Sequence, residues 1–193
     1  MRSGRTLLAA AVVVALAQGG FIASVIYGRA ALLRTGKEIV LKTEPVDPRD
    51  LLRGDYVSLN YNISRISVGD IRSERAFDGD TVGAVYVRVR QESGNRPAKI
   101  LAASLDAPLP DAPANGEVDI KGKSFNRWME GAATIRVEYG LERFYVPEGE
   151  GREIERGLGV RPFTMRVAVG ENGDAQIKAL YDGPTALYRE PFY

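Results

Sequence analysis

Hydrophobic and polar positions divide the chain at residue 27. "LLAAAVVVALAQGGFIASVIY", Leu7 to Tyr27, holds no charged side chain. As a helix at about 1.5 Å per residue it reaches roughly 30 Å, the hydrocarbon thickness of a bilayer. Beyond it the pattern becomes short runs of alternating polar and apolar residues, the period of strands. The residues between, "GRAALLRTG" (28–36), predict a helical continuation closed by Gly36 as a C-cap. The runs 37–43, 56–63, 66–73, 81–91, 98–105, 117–125 and 133–146 predict strands, the last bent at Gly140. In 81–91, Val85, Val87 and Val89 fall on one face, and Tyr86, Arg88 and Arg90 on the other. Two more alternating strands in 163–183 flank "ENGD", where Asn172-Gly173 marks a hairpin turn. Segment 44–55 reads as a loop or a short turn of helix, the Pro-rich 107–116 as a surface loop, and 147–159 as a short acidic helix capped by Gly157 or Gly159.

About eight strands with one or two short helices and no βαβ rhythm predict a mainly β fold. The expected architecture is an antiparallel β-barrel or sandwich behind one N-terminal transmembrane helix. The chain divides into a short basic N-terminus (1–6), the span (7–27), a juxtamembrane linker (28–36) and a β-rich domain (37–193).

The span has a rival reading. Arg2 and Arg5 before an apolar run, with "ALA" at 15–17, also fit a cleaved signal peptide. The apolar run resumes at Phe21 and continues to Tyr27, which favours a retained signal anchor. Arg29, Arg34, Lys37 and Lys42 after the span would favour a cytoplasmic domain by simple count. The signal-like start favours export, and export is the orientation adopted.

The stretch "RGDYVSLNYNIS", Arg53 to Ser64, begins as a turn and continues as a strand. Gly54 can take positive φ and reverse the chain, and Asp55 can hydrogen-bond backbone donors in that turn. After it Val57, Leu59, Tyr61 and Ile63 point one way, and Tyr56, Ser58, Asn60 and Asn62 the other. The first set is expected in the core, with the Tyr61 hydroxyl paired. The functional alternative is that Arg53, Asp55 and Tyr56 line a groove.

Composition narrows the chemistry. The chain has no Cys and no His, which removes disulfides, thiol nucleophiles, thiolate or imidazole metal sites and imidazole bases. Net charge is +1, so no nucleic-acid partner is expected. Setting Arg2 and Arg5 aside leaves 24 of the 26 basic residues against 25 acidic ones, a near-neutral domain without a reason to lie on anionic lipid. Neither a dinucleotide nor a phosphate loop is present. Asp47, Asp50 and Asp55 would form an acid–base pair with Glu142 only if the fold joined them. Glu142, Glu148, Glu150, Glu153 and Glu155 offer oxygen ligands, but Arg143, Arg152 and Arg156 interleave with them, as on a solvated helix. No metal or cofactor is expected. Tyr56, Tyr139, Phe144 and Tyr145 would offer an aromatic surface to a glycan or small molecule if they were exposed together.

Residues 54–61, "GDYVSLNY", fit G-D-Y-x-x-L-x-Y at every fixed position. Together with "LKTEPVDPRDLLRGDY" and "YGLERFYVPEGEGREIE", they resemble the GDYXXLXY family over about residues 5–183. The resemblance implies a bacterial envelope protein: an inner-membrane single span with a β-rich, periplasmic domain. It also implies a partner among multi-pass membrane proteins, and it carries over no catalytic residue. The expected function is therefore a tethered extracytoplasmic domain that binds or stabilises another envelope or multi-pass membrane protein. The alternatives are a small-molecule or glycan-binding module and a carboxylate-based envelope hydrolase. Binding residues expected from the motif and the acidic segment are Arg53, Gly54, Asp55, Tyr56, Leu59, Tyr61, Glu142, Glu148 and Glu153.

Overall fold

A computed structural model describes residues 2–44, 56–72, 83–124, 133–145, 154, 157 and 160–191. The elements in order are α1 (Arg2–Thr35), β1 (Lys37–Glu44), β2 (Tyr56–Ser58), β3 (Asn60–Tyr61), β4 (Arg65–Ser67), β5 (Gly83–Arg90), β6 (Lys99–Leu105), β7 (Glu117–Ser124), β8 (Thr134–Glu138), β9 (Arg143–Tyr145), β10 (Phe163–Val169), β11 (Ala175–Asp182) and β12 (Thr185–Arg189). One five-stranded sheet has the order β12-β11-β10-β1-β3, the second β4-β8-β7-β5-β6, and β2-β9 form a ribbon. Every strand pair is antiparallel. The sheets share one apolar core and do not close into a barrel.

α1 is longer than the charge-free run. Its 34 residues make a rod of roughly 50 Å, exposed over the apolar stretch. Thr6–Thr35 is long and apolar enough to cross a membrane, with a mean hydropathy of 2.1 in its most apolar window. The last turns then change role: Leu33 is buried, and the helix end packs on β10 and β11. Gly36 ends the helix by a different device from the expected left-handed cap. Its N–H donates to the Leu32 carbonyl at 2.9 Å, and a Cβ there would stand 2.6 Å from that oxygen and 3.0 Å from the Ala168 Cβ. A side chain here would collide with the Leu32 carbonyl of the helix itself and crowd Ala168 of β10, and helix and sheet meet without a slack linker.

The hairpin at 163–183 forms as expected, with Gly173 at φ +83° and its N–H on the Gly170 carbonyl. The Gly173 carbonyl in turn accepts the Lys121 N–H of β7 at 2.8 Å, tying the tip to the second sheet. Val85, Val87 and Val89 are in the core. Arg88 on the other face is also buried, beneath the Pro-rich loop. It donates to both Asp119 carboxylate oxygens at 2.7 and 2.8 Å, to Asp111 Oδ2 at 2.6 Å and to the Asp111 carbonyl at 2.5 Å. Arg90 pairs with Glu117, whose carboxylate also accepts the Ala114 N–H. Two arginines thus fasten 107–116 down as a lid over the sheet.

Other boundaries differ from the sequence pattern. The run 56–63 is two strands rather than one. The run 66–73 gives β4 and then a 3-10 turn at Val68–Asp70, with Ile71 bridging Ala103 in parallel. Gly140, at φ +77°, breaks 133–146 into β8 and β9, since that backbone suits glycine and cannot continue a strand. β12 is an edge strand that the pattern did not announce, because "TALYR" follows Gly183-Pro184 directly. Twelve strands therefore stand among the described residues where about eight were expected. The expected turn at 53–55 and most of the acidic helix lie outside the described residues. Of that helix, Ile154 is helical and joins the core, and the Gly157 carbonyl accepts the N–H groups of Val160 and Arg161.

Arg88→Met should destabilise the domain by about 3 kcal/mol, because Asp119 would keep a largely buried charge without its partner. Thermal unfolding of the detergent-solubilised chain measures it. Arg90 and the Ala114 N–H hold the Glu117 carboxyl below the usual carboxylate range. A depressed folded pKa gives stability that is present above the unfolded value, about 4.3, and is lost as pH falls through the folded value. Unfolding midpoints should drop below about pH 4, and less steeply in Glu117→Gln.

Candidate functional site

The alternation of 56–63 puts Val57, Leu59, Tyr61 and Ile63 in the core, each at most 1% exposed. The stretch breaks at Leu59 because it changes partner. Tyr56–Ser58 pair with Tyr145–Arg143 of β9, whereas Asn60 and Tyr61 pair with Glu44 and Thr43 of β1. At the crossing the Leu59 N–H donates to the Glu142 carbonyl at 2.8 Å. One residue pair on, Val137 N–H donates to the Ser64 carbonyl and leads the chain into the second sheet.

Two tyrosines lock this crossing reciprocally. Tyr61 Oη donates to the Leu141 carbonyl at 2.6 Å, and Tyr139 Oη donates to the Ile63 carbonyl at 2.7 Å. Glu142 Oε1 accepts the Tyr139 N–H at 2.6 Å and closes the turn in which Gly140 has positive φ. Burial, reinforced by the Glu142 charge, pushes both phenols well above the usual tyrosine range, so both stay neutral donors. Neither can serve as a base or nucleophile near neutral pH. The hydrophilic side of the stretch is also engaged: Asn62 bridges the Lys42 N–H and the Ala98 carbonyl, and Asn60 accepts from Arg136. Asn62 and Ser64, which accepts the Tyr61 N–H at 3.0 Å, are therefore part of the framework.

The structure thus brings Leu59, Tyr61 and Glu142 together as a structural clamp. For Tyr56 only the backbone is described, in register with Tyr145. Arg53, Gly54, Asp55, Glu148 and Glu153 lie outside the described residues, as do Asp47, Asp50, Glu150 and Glu155. Among the described residues, no group of three or more Asp and Glu side chains could hold a metal ion. Tyr139 and Phe144 belong to the core, with Phe144 edge-on to Tyr188 at 5.0 Å. Of the four aromatics singled out, Tyr145 is exposed, at 69%.

The clamp builds one wall of a cleft of about 800 Å³ at the foot of the domain. Gly140, Leu141, Arg143, Phe144 and Tyr145 form that wall. The hairpin tip with Glu171, Asn172 and Asp174 faces it, and α1 closes the side with Ser24, Val25, Gly28, Arg29 and Leu32. No sequence pattern pointed to this cleft, because it joins four stretches distant along the chain. A signal existed in part: the exposed Tyr145 on a strand whose neighbour Phe144 is buried.

A β-sandwich carried on an apolar helix, with an open cleft where the two meet, is the class of protein these features define. The chain belongs to the GDYXXLXY protein family, whose model matches residues 18–180. That match takes in the last part of the apolar helix and nearly the whole β domain. Neither a curated protein nor a solved structure matches the chain at a significant level.

Tyr61→Phe should cost about 1–2 kcal/mol, since the Leu141 carbonyl would be left buried without a donor. That corresponds to a fall of roughly 3–6 °C in melting temperature for a domain of this size. Gly140→Val should cost more than Tyr61→Phe by the same measurement, because a β-branched residue is incompatible with positive φ.

Proposed function

We propose that this protein is a membrane-anchored extracytoplasmic domain that binds and steadies a multi-pass membrane protein. The observation that carries the reading is Gln18. It sits at the middle of the apolar run Leu7–Tyr27 and is exposed. A primary amide at the centre of a bilayer finds no water and is best satisfied by a polar group on another helix. A side chain at Gly19 or Gly20 would meet nothing beyond the surrounding backbone of its own helix, which leaves room for a neighbouring backbone to come close. The direct passage of α1 into β1 supports the reading further, because a head held without slack can present a fixed face to a membrane neighbour.

The site of action follows from the same proposal: a bacterial inner membrane, with the β domain on the periplasmic side. Arg2 and Arg5 ahead of a long apolar run give the start the character of an export signal. A periplasm-dependent reporter fused after Tyr193 should be active, and its inactivity would reverse the orientation.

Gln18→Leu tests the function. Cross-linking in native membranes followed by purification in mild detergent should recover a multi-pass protein with the wild-type chain. With Gln18→Leu its yield should fall severalfold, in keeping with about 1 kcal/mol for one interhelical hydrogen bond. The melting temperature of the β domain should not change. Recovery of no membrane protein by the wild type, or undiminished recovery by the variant, counts against the proposal.

A further inference from the structure

The cleft at the foot of the domain lies at a height set by the helix. Arg29 is two residues past Tyr27, the last of the apolar run, and Leu32, where α1 meets the sheet, is five. At about 1.5 Å per residue those positions stand roughly 3 and 8 Å beyond the hydrocarbon edge. The headgroup layer on each side of a bilayer is about 5–8 Å deep. Gly28 and Arg29 therefore place the mouth of the cleft within that layer, with Ser24 and Val25 just inside the hydrocarbon edge. Tyr27 and Tyr145, both largely exposed, stand at the same end of the domain, where tyrosine rings favour the interface.

The charges of the lining are mixed in a particular way. Arg29 and Arg143 come from the helix and β9, and Glu171, Asp174 and Glu190 from the hairpin tip and the end of β12. Acids outnumber bases, which disfavours an anionic headgroup. A zwitterionic headgroup fits: its phosphate sits toward the arginines, and its ammonium sits toward the carboxylates. Carboxylates accept hydrogen bonds, and a primary ammonium has three to donate. We infer that the cleft between α1 and the β domain seats the headgroup of an amine-bearing zwitterionic phospholipid, with Tyr145 in the interfacial layer. The inference rests on the anchoring reading and adds a ligand to it.

The absence of cysteine makes the test clean, since one introduced thiol gives one label. The full chain carrying a nitroxide at Tyr145→Cys is placed in vesicles of phosphatidylethanolamine and phosphatidylglycerol. Thr185→Cys serves as the reference. It lies at the opposite end of β11 from the cleft, about 23 Å away along the strand. The label at 145 should collide readily with oxygen and poorly with a water-soluble nickel complex, and the label at 185 should do the reverse. Lipid retained after detergent extraction should be enriched in phosphatidylethanolamine over the vesicle composition. Glu171→Gln should shift that ratio toward phosphatidylglycerol by about fivefold, the effect of one charge near a headgroup.

The inference is overturned, with the anchor left in place, by nickel access at 145 equal to that at 185 in a chain that floats with the vesicles, or by retained lipid of vesicle composition. A label at 145 shielded from both reagents would put protein rather than lipid in the cleft, and that also overturns it. A chain that does not float with vesicles defeats the anchoring reading itself.

Discussion

Two buried phenols hold the connection on which the rest of the domain depends. Tyr61 and Tyr139 each donate to a carbonyl on the other's segment, so residues 59–64 and 137–142 are fastened at both ends. Neither hydroxyl has water to fall back on, and an unpaired carbonyl in their place would cost more than the bond itself contributes. The crossing matters because three sets of strands meet there: the ribbon through β2, one sheet through β3, the other through β4 and β8. A domain whose sheets do not close into a barrel needs such a seam to keep them in register. The last two fixed positions of the eight-residue motif, Leu59 and Tyr61, serve that seam directly. Glu142, which looks like an acidic site residue in the linear sequence, spends its carboxylate on the Tyr139 N–H.

How far the sequence spoke for the fold depended on the range of the forces involved. Alternation within a strand is local, so the core faces of 56–63 and 81–91 were legible in Val57, Leu59, Tyr61, Val85, Val87 and Val89. The hairpin at Asn172-Gly173 was legible for the same reason. The partner exchange at Leu59 was not, because nothing in "VSLNY" changes where the hydrogen bonds go over from β9 to β1. Arg88 misled in a related way. It occupies the polar phase of its strand, but Asp111 and Asp119 cover it from 23 and 31 residues away. The candidate cleft was the least legible feature, since its walls come from α1, β9, the 171–174 tip and β12. Only Tyr145 hinted at it, as an aromatic in the outward phase of a short strand.

The junction between helix and domain converts that packing into position. In many tethered proteins a Gly- or Pro-rich linker lets the head wander over a large volume. Here Thr35 is helical, Lys37 is already in β1, and a side chain on the residue between them would collide with the Leu32 carbonyl and crowd Ala168. Leu33 buried under the sheet removes the remaining freedom of the last helical turn. The domain is thereby held at one height and rotation relative to the helix.

That rigidity bears on how a near-neutral domain can work at a membrane surface. Long-range attraction to anionic lipid is weak for such a domain and is screened within about 8–10 Å in physiological salt. On the proposed reading, recognition comes from short-range contacts whose geometry is fixed in advance: one amide at mid-span, and charges of both signs at the level of the headgroups. Each contact is modest by itself, but neither has to meet the cost of searching for its partner in three dimensions. On that reading the apolar helix confines both to the plane of the bilayer, and the close packing at Gly36 sets their separation. A clamp of two tyrosines in the core and a glycine at the helix end are therefore parts of one device, since the first fixes the wall of the cleft and the second fixes its depth.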